Sequence, residues 1–227
     1  MSADKLMSAG TAVSADCLPT IWSYDRMTRV FGGIWFALLA LLVAINMGAS
    51  PADPWTLRLS SFCLAIFYML LGLLIMTRAP AKAQAEGPLP RIAGIVGTYL
   101  PWTITFLGKT DHALSNLLSA AFVLTGTIMM LITVRHLGRS FSLVPQARSV
   151  VQTGPYRWIR HPLYLSEEIV IVGVVLRYLT PLTVTVLVVH IGIQVCRILY
   201  EEDLLRRTFP EYSAYEASRW RLIPYVW

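Results

Sequence analysis

Two stretches of this sequence hold the residues that could do chemistry. The first runs Gly154-Pro155-Tyr156-Arg157-Trp158-Ile159-Arg160-His161-Pro162-Leu163-Tyr164-Leu165-Ser166-Glu167-Glu168. Gly154-Pro155 reads as a turn and Pro162 as the start of a helix. Arg160 and His161 then stand at the N-terminal end of that helix. Unpaired backbone N–H groups and the positive end of the helix dipole would make an anion site there. On an ideal helix His161, Tyr164 and Glu168 share one face. The second stretch places His190, Gln194, Arg197 and Glu201 at i, i+4, i+7 and i+11, a polar stripe along an otherwise apolar helix, with Glu202 pointing well away from it. Ionisable groups in such a helix face a bundle interior or a wet cavity. These groups can hold a charged ligand or accept a proton. They also have plainer readings: Arg160 and His161 as an interfacial anchor, His190 and Gln194 as bonds to a neighbouring helix, Glu201 and Glu202 as a solvated helix end.

The elements that must position them are apolar throughout. Of 227 residues, 56% are hydrophobic and 14% charged, against about 25% charged in a soluble domain. Mean hydropathy is +0.58. Six candidate spans follow, at 31–47, 59–76, 92–107, 113–134, 162–176 and 182–199, each judged against the roughly 20 residues needed to cross a bilayer. The third contains Pro101 and several hydroxyl residues. The segment 50–54 is a turn, 135–161 a long amphipathic linker, and the last two spans a helical hairpin with Pro181 starting the returning helix. The chain divides into an N-terminal segment 1–30, N-terminal membrane helices 31–112, and a core 113–227 ending in a C-terminal helix. The fold class is all-α, a polytopic transmembrane bundle.

The formal charge of +6 is scattered between apolar runs, which fits loops on an anionic leaflet better than a nucleic-acid surface. With both termini cytoplasmic, that side collects most of the basic residues and the other holds only Arg58, Lys109 and Arg177, as the positive-inside rule expects. Cys17, Cys63 and Cys196 form no disulfide or metal pattern, and the first thirty residues do not read as a signal peptide. The protein is expected to be integral to the membrane, the inner membrane if the cell is bacterial, with its active site on the cytoplasmic side.

Arg160-His161-Pro162-Leu163-Tyr164 resembles the Arg-His-Pro-x-Tyr motif of the isoprenylcysteine carboxyl methyltransferase family, which is related to the phospholipid methyltransferases. Glu201-Glu202-Asp203-Leu204-Leu205 is similar to that family's Glu-Glu-x-x-Leu motif, with Arg197 upstream at the usual place. Leu137 to Ser142 fits an upstream Leu-Gly-Arg-Ser-Phe segment. The tail, with Phe209, Tyr212 and Tyr215 before Arg221 and Pro224, continues the likeness over residues 113–227. One departure stands out: the family usually has glycine where this chain has Ser166.

The resemblance implies a cofactor, S-adenosylmethionine, held by the last two helices, the linker before them and the C-terminal segment. Carried over by position, the cofactor-binding candidates are Tyr156, Arg160, His161, Tyr164, Leu165, Glu201 and Glu202. Arg197, Glu201 and Arg221 are the catalytic candidates, Arg219 being a further cation able to orient an acceptor. The family glutamate sits at Glu167, whereas helical geometry favours Glu168. The implied reaction is carboxyl O-methylation of a lipophilic, isoprenylcysteine-like acceptor arriving from the bilayer. Phospholipid N-methylation and S-methylation of a small thiol stay open, as does a transporter or scaffold outside the enzyme class. No nucleic acid is expected as a partner.

Overall fold

The computed structural model of the protein describes residues 18–49, 55–107, 112–142 and 144–227. Residues 1–17, the turn at 50–54 and Lys109 lie outside them. The described residues form α1 (Leu18–Ala49), α2 (Trp55–Thr77), α3 (Pro88–Tyr99), α4 (Ala113–Leu137), α5 (Pro162–Arg177), α6 (Pro181–Thr208) and α7 (Tyr212–Ala217). Two short strands, β1 (Ala83–Gln84) and β2 (Gln146–Ala147), pair antiparallel. Nothing in the sequence pattern marked them.

Arg26–Ile45, Ala113–Ser140 and Pro181–Thr208 are long and apolar enough to cross a membrane, and Ser61–Thr77 is a shorter apolar helix. The outward faces of these helices carry Phe31, Leu38, Leu42, Leu73, Leu117 and Val188 in the open. So much exposed apolar surface belongs against lipid. The protein is an all-α integral membrane protein.

The third apolar segment, 92–107, is not one helix. The α-helix ends at Tyr99 and a 3-10 stretch, Leu100–Phe106, follows. Pro101 has no N–H to donate to the carbonyl of Gly97. That carbonyl is met instead by Nε2 of His190, 2.9 Å away on α6.

Glycines set the closest helix contacts. A side chain at Gly126 of α4 would meet the Ser166 carbonyl oxygen at 2.9 Å and Val170 Cγ2 at 2.7 Å on α5. Ser166, where the resemblance leads one to expect glycine, is fully buried and donates its hydroxyl to the Pro162 carbonyl of its own helix at 2.7 Å. The close approach is thus supplied by α4, and the serine is accommodated. Phe36, Leu71, Ile75, Met130, Val134 and Val170 form the main core where α1, α2, α4 and α5 meet.

The turn between α5 and α6 is held by a capping box, Thr180 with Thr183, ahead of Pro181. The two arms of this hairpin do not pack chiefly on each other. α5 lies mainly on α4, and α6 on α3. Long polar side chains bridge the space between the arms.

At one end of the bundle the linker segments gather. The N–H of Ala79 donates to Arg139 O at 2.7 Å, and β1 ties the α2–α3 connection to the α4–α5 linker. Gly154 has φ 59, and the His136 ring occupies the place where a side chain there would be. The C-terminal tail closes the assembly: Arg160 N–H donates to Trp220 O at 2.8 Å and His161 N–H to Arg221 O at 3.1 Å.

Candidate functional site

The motif before α5 and the exit of α6 meet at this gathered end. Glu202 is the hub. Its side chain is completely buried and forms ion pairs with Arg160 Nε at 3.0 Å, Arg221 Nε at 2.9 Å and Arg206 Nη2 at 3.3 Å, while His161 Nε2 shares a hydrogen bond with it at 3.0 Å. Glu216 adds a second carboxylate, 2.8 Å from Arg206 and 3.5 Å from Arg160. One carboxylate therefore joins the start of α5, the end of α6 and the tail. A buried charge persists only with such partners.

Glu201, one residue earlier, turns about 100° around the helix and faces a cavity. Its Oε2 accepts from the Tyr164 hydroxyl at 2.7 Å. The His161 and Tyr164 rings stack with centroids 5.6 Å apart, and the Arg197 guanidinium lies 4.9 Å over the Tyr164 ring. The cavity measures about 90 Å³ and is walled by Tyr156, Arg160, His161, Tyr164, Glu167, Arg197 and Glu201, with Met130, Phe141 and Leu163 on its apolar side. A second lobe of about 50 Å³ shares Gln146, Tyr156, Arg160, His161 and Glu201 and adds Arg148, Tyr212 and Tyr215.

Several expectations are revised by these positions. The N–H groups of Arg160 and His161 are not an open anion cradle, because the tail carbonyls of Trp220 and Arg221 already accept from them. Leu165, Glu202 and Arg221 do not wall either lobe. Glu202 and Arg221 lie behind it, neutralising each other and fixing the wall residues. Arg219 is exposed and donates to the Ser218 carbonyl. Of the two glutamates on α5, Glu167 reaches the cavity, 3.6 Å from Arg197, and accepts from Gln194 at 2.9 Å. Glu168 lies 2.9 Å from Nδ1 of His190. The upper part of the α6 stripe is thus a set of bonds between helices: Gln194 to α5, and His190 to both α5 and the Gly97 carbonyl. Neither walls a lobe.

The linker supplies residues that spacing did not reveal. Gln146 Oε1 accepts from Ser142 Oγ at 2.9 Å and from Arg148 Nη2 at 2.6 Å. Irregular backbone has no periodicity from which such convergence could be read. Tyr215 donates to the Tyr156 carbonyl at 2.7 Å, which pins the turn before α5 to the C-terminal helix. Burial pushes the Tyr215 phenol up to about 12. Burial, with Glu201 nearby, pushes that of Tyr156 well above its usual range. Both stay neutral hydroxyls at ordinary pH.

The site is therefore a closed, mixed-charge chamber at the end of apolar helices, with carboxylate, cation and phenol on one wall. Residues 114–212 match the sequence profile of the phospholipid methyltransferase family. That segment, 99 of the chain's 227 residues, is similar to the membrane methyltransferases. This group includes the isoprenylcysteine carboxyl methyltransferases, and its members generally use S-adenosylmethionine. No curated protein matches the chain. The matched segment contains α5, α6 and every residue named above on the cavity wall except Tyr215. α1 to α3 and the tail residues Trp220 and Arg221 lie outside it.

Proposed function

We propose that this membrane methyltransferase uses S-adenosylmethionine to methylate the carboxylate of a lipophilic, isoprenylcysteine-like acceptor. The observation that carries the reading is the convergence of Arg160 and His161 just before α5, Tyr164 in its first turn, and Arg197 and Glu201 from α6 around one chamber. The donor set suits the cofactor. Glu201 uses one oxygen for Tyr164 and has a second for an ammonium or ribose hydroxyl, while Tyr156 offers a neutral phenol and Arg160 a cation for a carboxylate.

When bound, S-adenosylmethionine supplies an electrophilic methyl group on a sulfonium. A carboxylate acceptor is already ionised near neutral pH and needs no base. Its oxygen forms the new bond to carbon as the sulfur–carbon bond breaks, the bonding pair stays on sulfur, and no proton moves. The chain's task is alignment, which by itself lowers such barriers strongly. Arg197 is the cation on the cavity wall best placed to orient the acceptor, since its guanidinium is held over the Tyr164 ring and beside Glu167. We place the site and both termini on the cytoplasmic side, where the cofactor is soluble and the basic residues concentrate.

The family match favours a second reading, N-methylation of a phospholipid head group. An amine acceptor must lose a proton, and Glu201 is the carboxylate positioned to take it. Membranes carrying the protein, incubated with methyl-labelled cofactor and N-acetyl-S-farnesylcysteine, separate the two. A base-labile methyl ester supports the first reading and label in a phospholipid the second. Label in neither, together with no calorimetric binding of S-adenosylhomocysteine, overturns both.

A further inference from the structure

α3 lies outside the matched segment, yet it packs on a cation of the chamber wall. Gly97, near the end of α3, is buried. A Cβ atom there would stand 2.8 Å from Cδ and 3.1 Å from Nη1 of Arg197, and 3.3 Å from Cγ2 of Ile193. The bare backbone of Gly97 is therefore a surface against which the Arg197 side chain lies. Its neighbour Thr98 is itself on the chamber wall.

The carbonyl of Gly97 is the one that Pro101 leaves without a helical donor, and Nε2 of His190 meets it at 2.9 Å. A carbonyl only accepts, so this nitrogen carries the proton. His190 is fully buried on α6, two turns before Arg197, and its Nδ1 lies 2.9 Å from Glu168. The ring is thus held from both ends. Arg197 donates to Gln194 Oε1 at 2.7 Å, lies 3.6 Å from Glu167 and stands 4.9 Å over the Tyr164 ring. Those contacts come from α5 and α6, and α3 supplies a further side.

We infer that Gly97, its carbonyl anchored by His190, is a positioning residue that sets where the Arg197 guanidinium stands in the chamber. This rests on the methyltransferase reading, in which Arg197 orients the acceptor, and it gives α3 a part in that alignment. A long side chain keeps many rotamers unless a wall removes them. Here the missing Cβ lets the wall come within contact of the arginine stem. A methyl group on Gly97 would press on that stem, which can rotate aside without either helix moving. Alignment of the acceptor then suffers while the fold does not.

The test is Gly97→Ala in the full-length protein in bilayer nanodiscs, with N-acetyl-S-farnesylcysteine as acceptor. Methyl-labelled cofactor keeps slow variants measurable. Acceptor kcat/KM should fall by at least about tenfold while affinity for S-adenosylhomocysteine stays within about threefold. The melting temperature should hold, because alanine is the better helix former. In an Arg197→Ala background, adding Gly97→Ala should change kcat/KM by less than about twofold, since the group it acts on is gone. His190→Leu, which removes the donor to the Gly97 carbonyl, should lower kcat/KM as Gly97→Ala does. His190→Gln, which keeps an N–H near that place, should recover most of it.

Unchanged acceptor kinetics in Gly97→Ala would overturn the inference. So would a matching loss of S-adenosylhomocysteine affinity, a full further loss in the Arg197→Ala background, or equal losses in the two His190 variants. If the parent protein methylates a phospholipid amine in place of the farnesyl acid, the same variants are read on that acceptor. A parent that binds no S-adenosylhomocysteine fails the methyltransferase reading itself, and the inference falls with it.

Discussion

The polar chamber and the apolar groove are built on opposite principles. The chamber is small, charged and over-determined: Glu202 alone is met by three arginines and His161, drawn from the segment before α5, from α6 and from the tail. The groove between α1 and α3 is large, about 710 Å³, and its walls are mostly apolar, with Trp35, Tyr99 and Trp102 packed on one another and Arg78 among the lining residues. Removing one member of the first strands buried charge, whereas removing one member of the second only changes a shape.

The largest effect should come from the hub. Glu202→Ala leaves Arg160, His161 and Arg221 facing one another without their shared carboxylate, and should cost about 3–5 kcal/mol of stability. Thermal unfolding in detergent measures it. A variant that melts with the wild type would show that the network does not hold the end of the bundle together. Glu201→Gln should do the reverse, lowering kcat/KM by about 100-fold while its melting point stays close to the parent's. Full turnover by that variant would move the reacting centre away from the chamber.

Gly126→Val tests the close α4–α5 contact that positions the motif. Its side chain would press on the Ser166 carbonyl and Val170, so a loss of about 1–3 kcal/mol is expected from overpacking, read as a lower melting temperature with cofactor affinity falling in step. The smallest effect is expected at Arg207. It pairs with Asp203 at 2.8 Å but is largely exposed, and an alanine there should change stability by less than about 0.5 kcal/mol. A greater loss would mean that the end of α6 relies on surface ion pairs as much as on the buried hub.

Much of the chamber was legible because motif residues sit at fixed offsets on regular helices. Arg160, His161 and Tyr164 bracket Pro162, and Arg197 and Glu201 lie one turn apart, so their common destination could be argued from spacing. Glu167 against Glu168 could not be decided that way. Ideal helical geometry puts Glu168 with His161 and Tyr164, but α5 is turned by its packing on α4, and Glu167 meets the cavity. Gln146 and Arg148 were hidden because an irregular linker carries them. The role of His190 was equally out of reach, since it answers a carbonyl orphaned by a proline ninety residues earlier in the chain.

By itself the sequence determined that this is an apolar, all-helical membrane protein, where its motif-bearing segments lie, and which ionisable residues stand at the ends of its last two helices. Those are local matters, governed by hydropathy, helical period and proline. Only the tertiary structure decided that Glu202 would bind the tail while Glu201 faced a cavity, that the hairpin's arms would stand apart on different neighbours, and that α1 and α3 would flank an apolar groove. Each of these depends on which helix packs against which. Contacts between residues far apart in the chain are set by the competition of whole surfaces for burial and by pairing of buried charge, and no short window of sequence contains either.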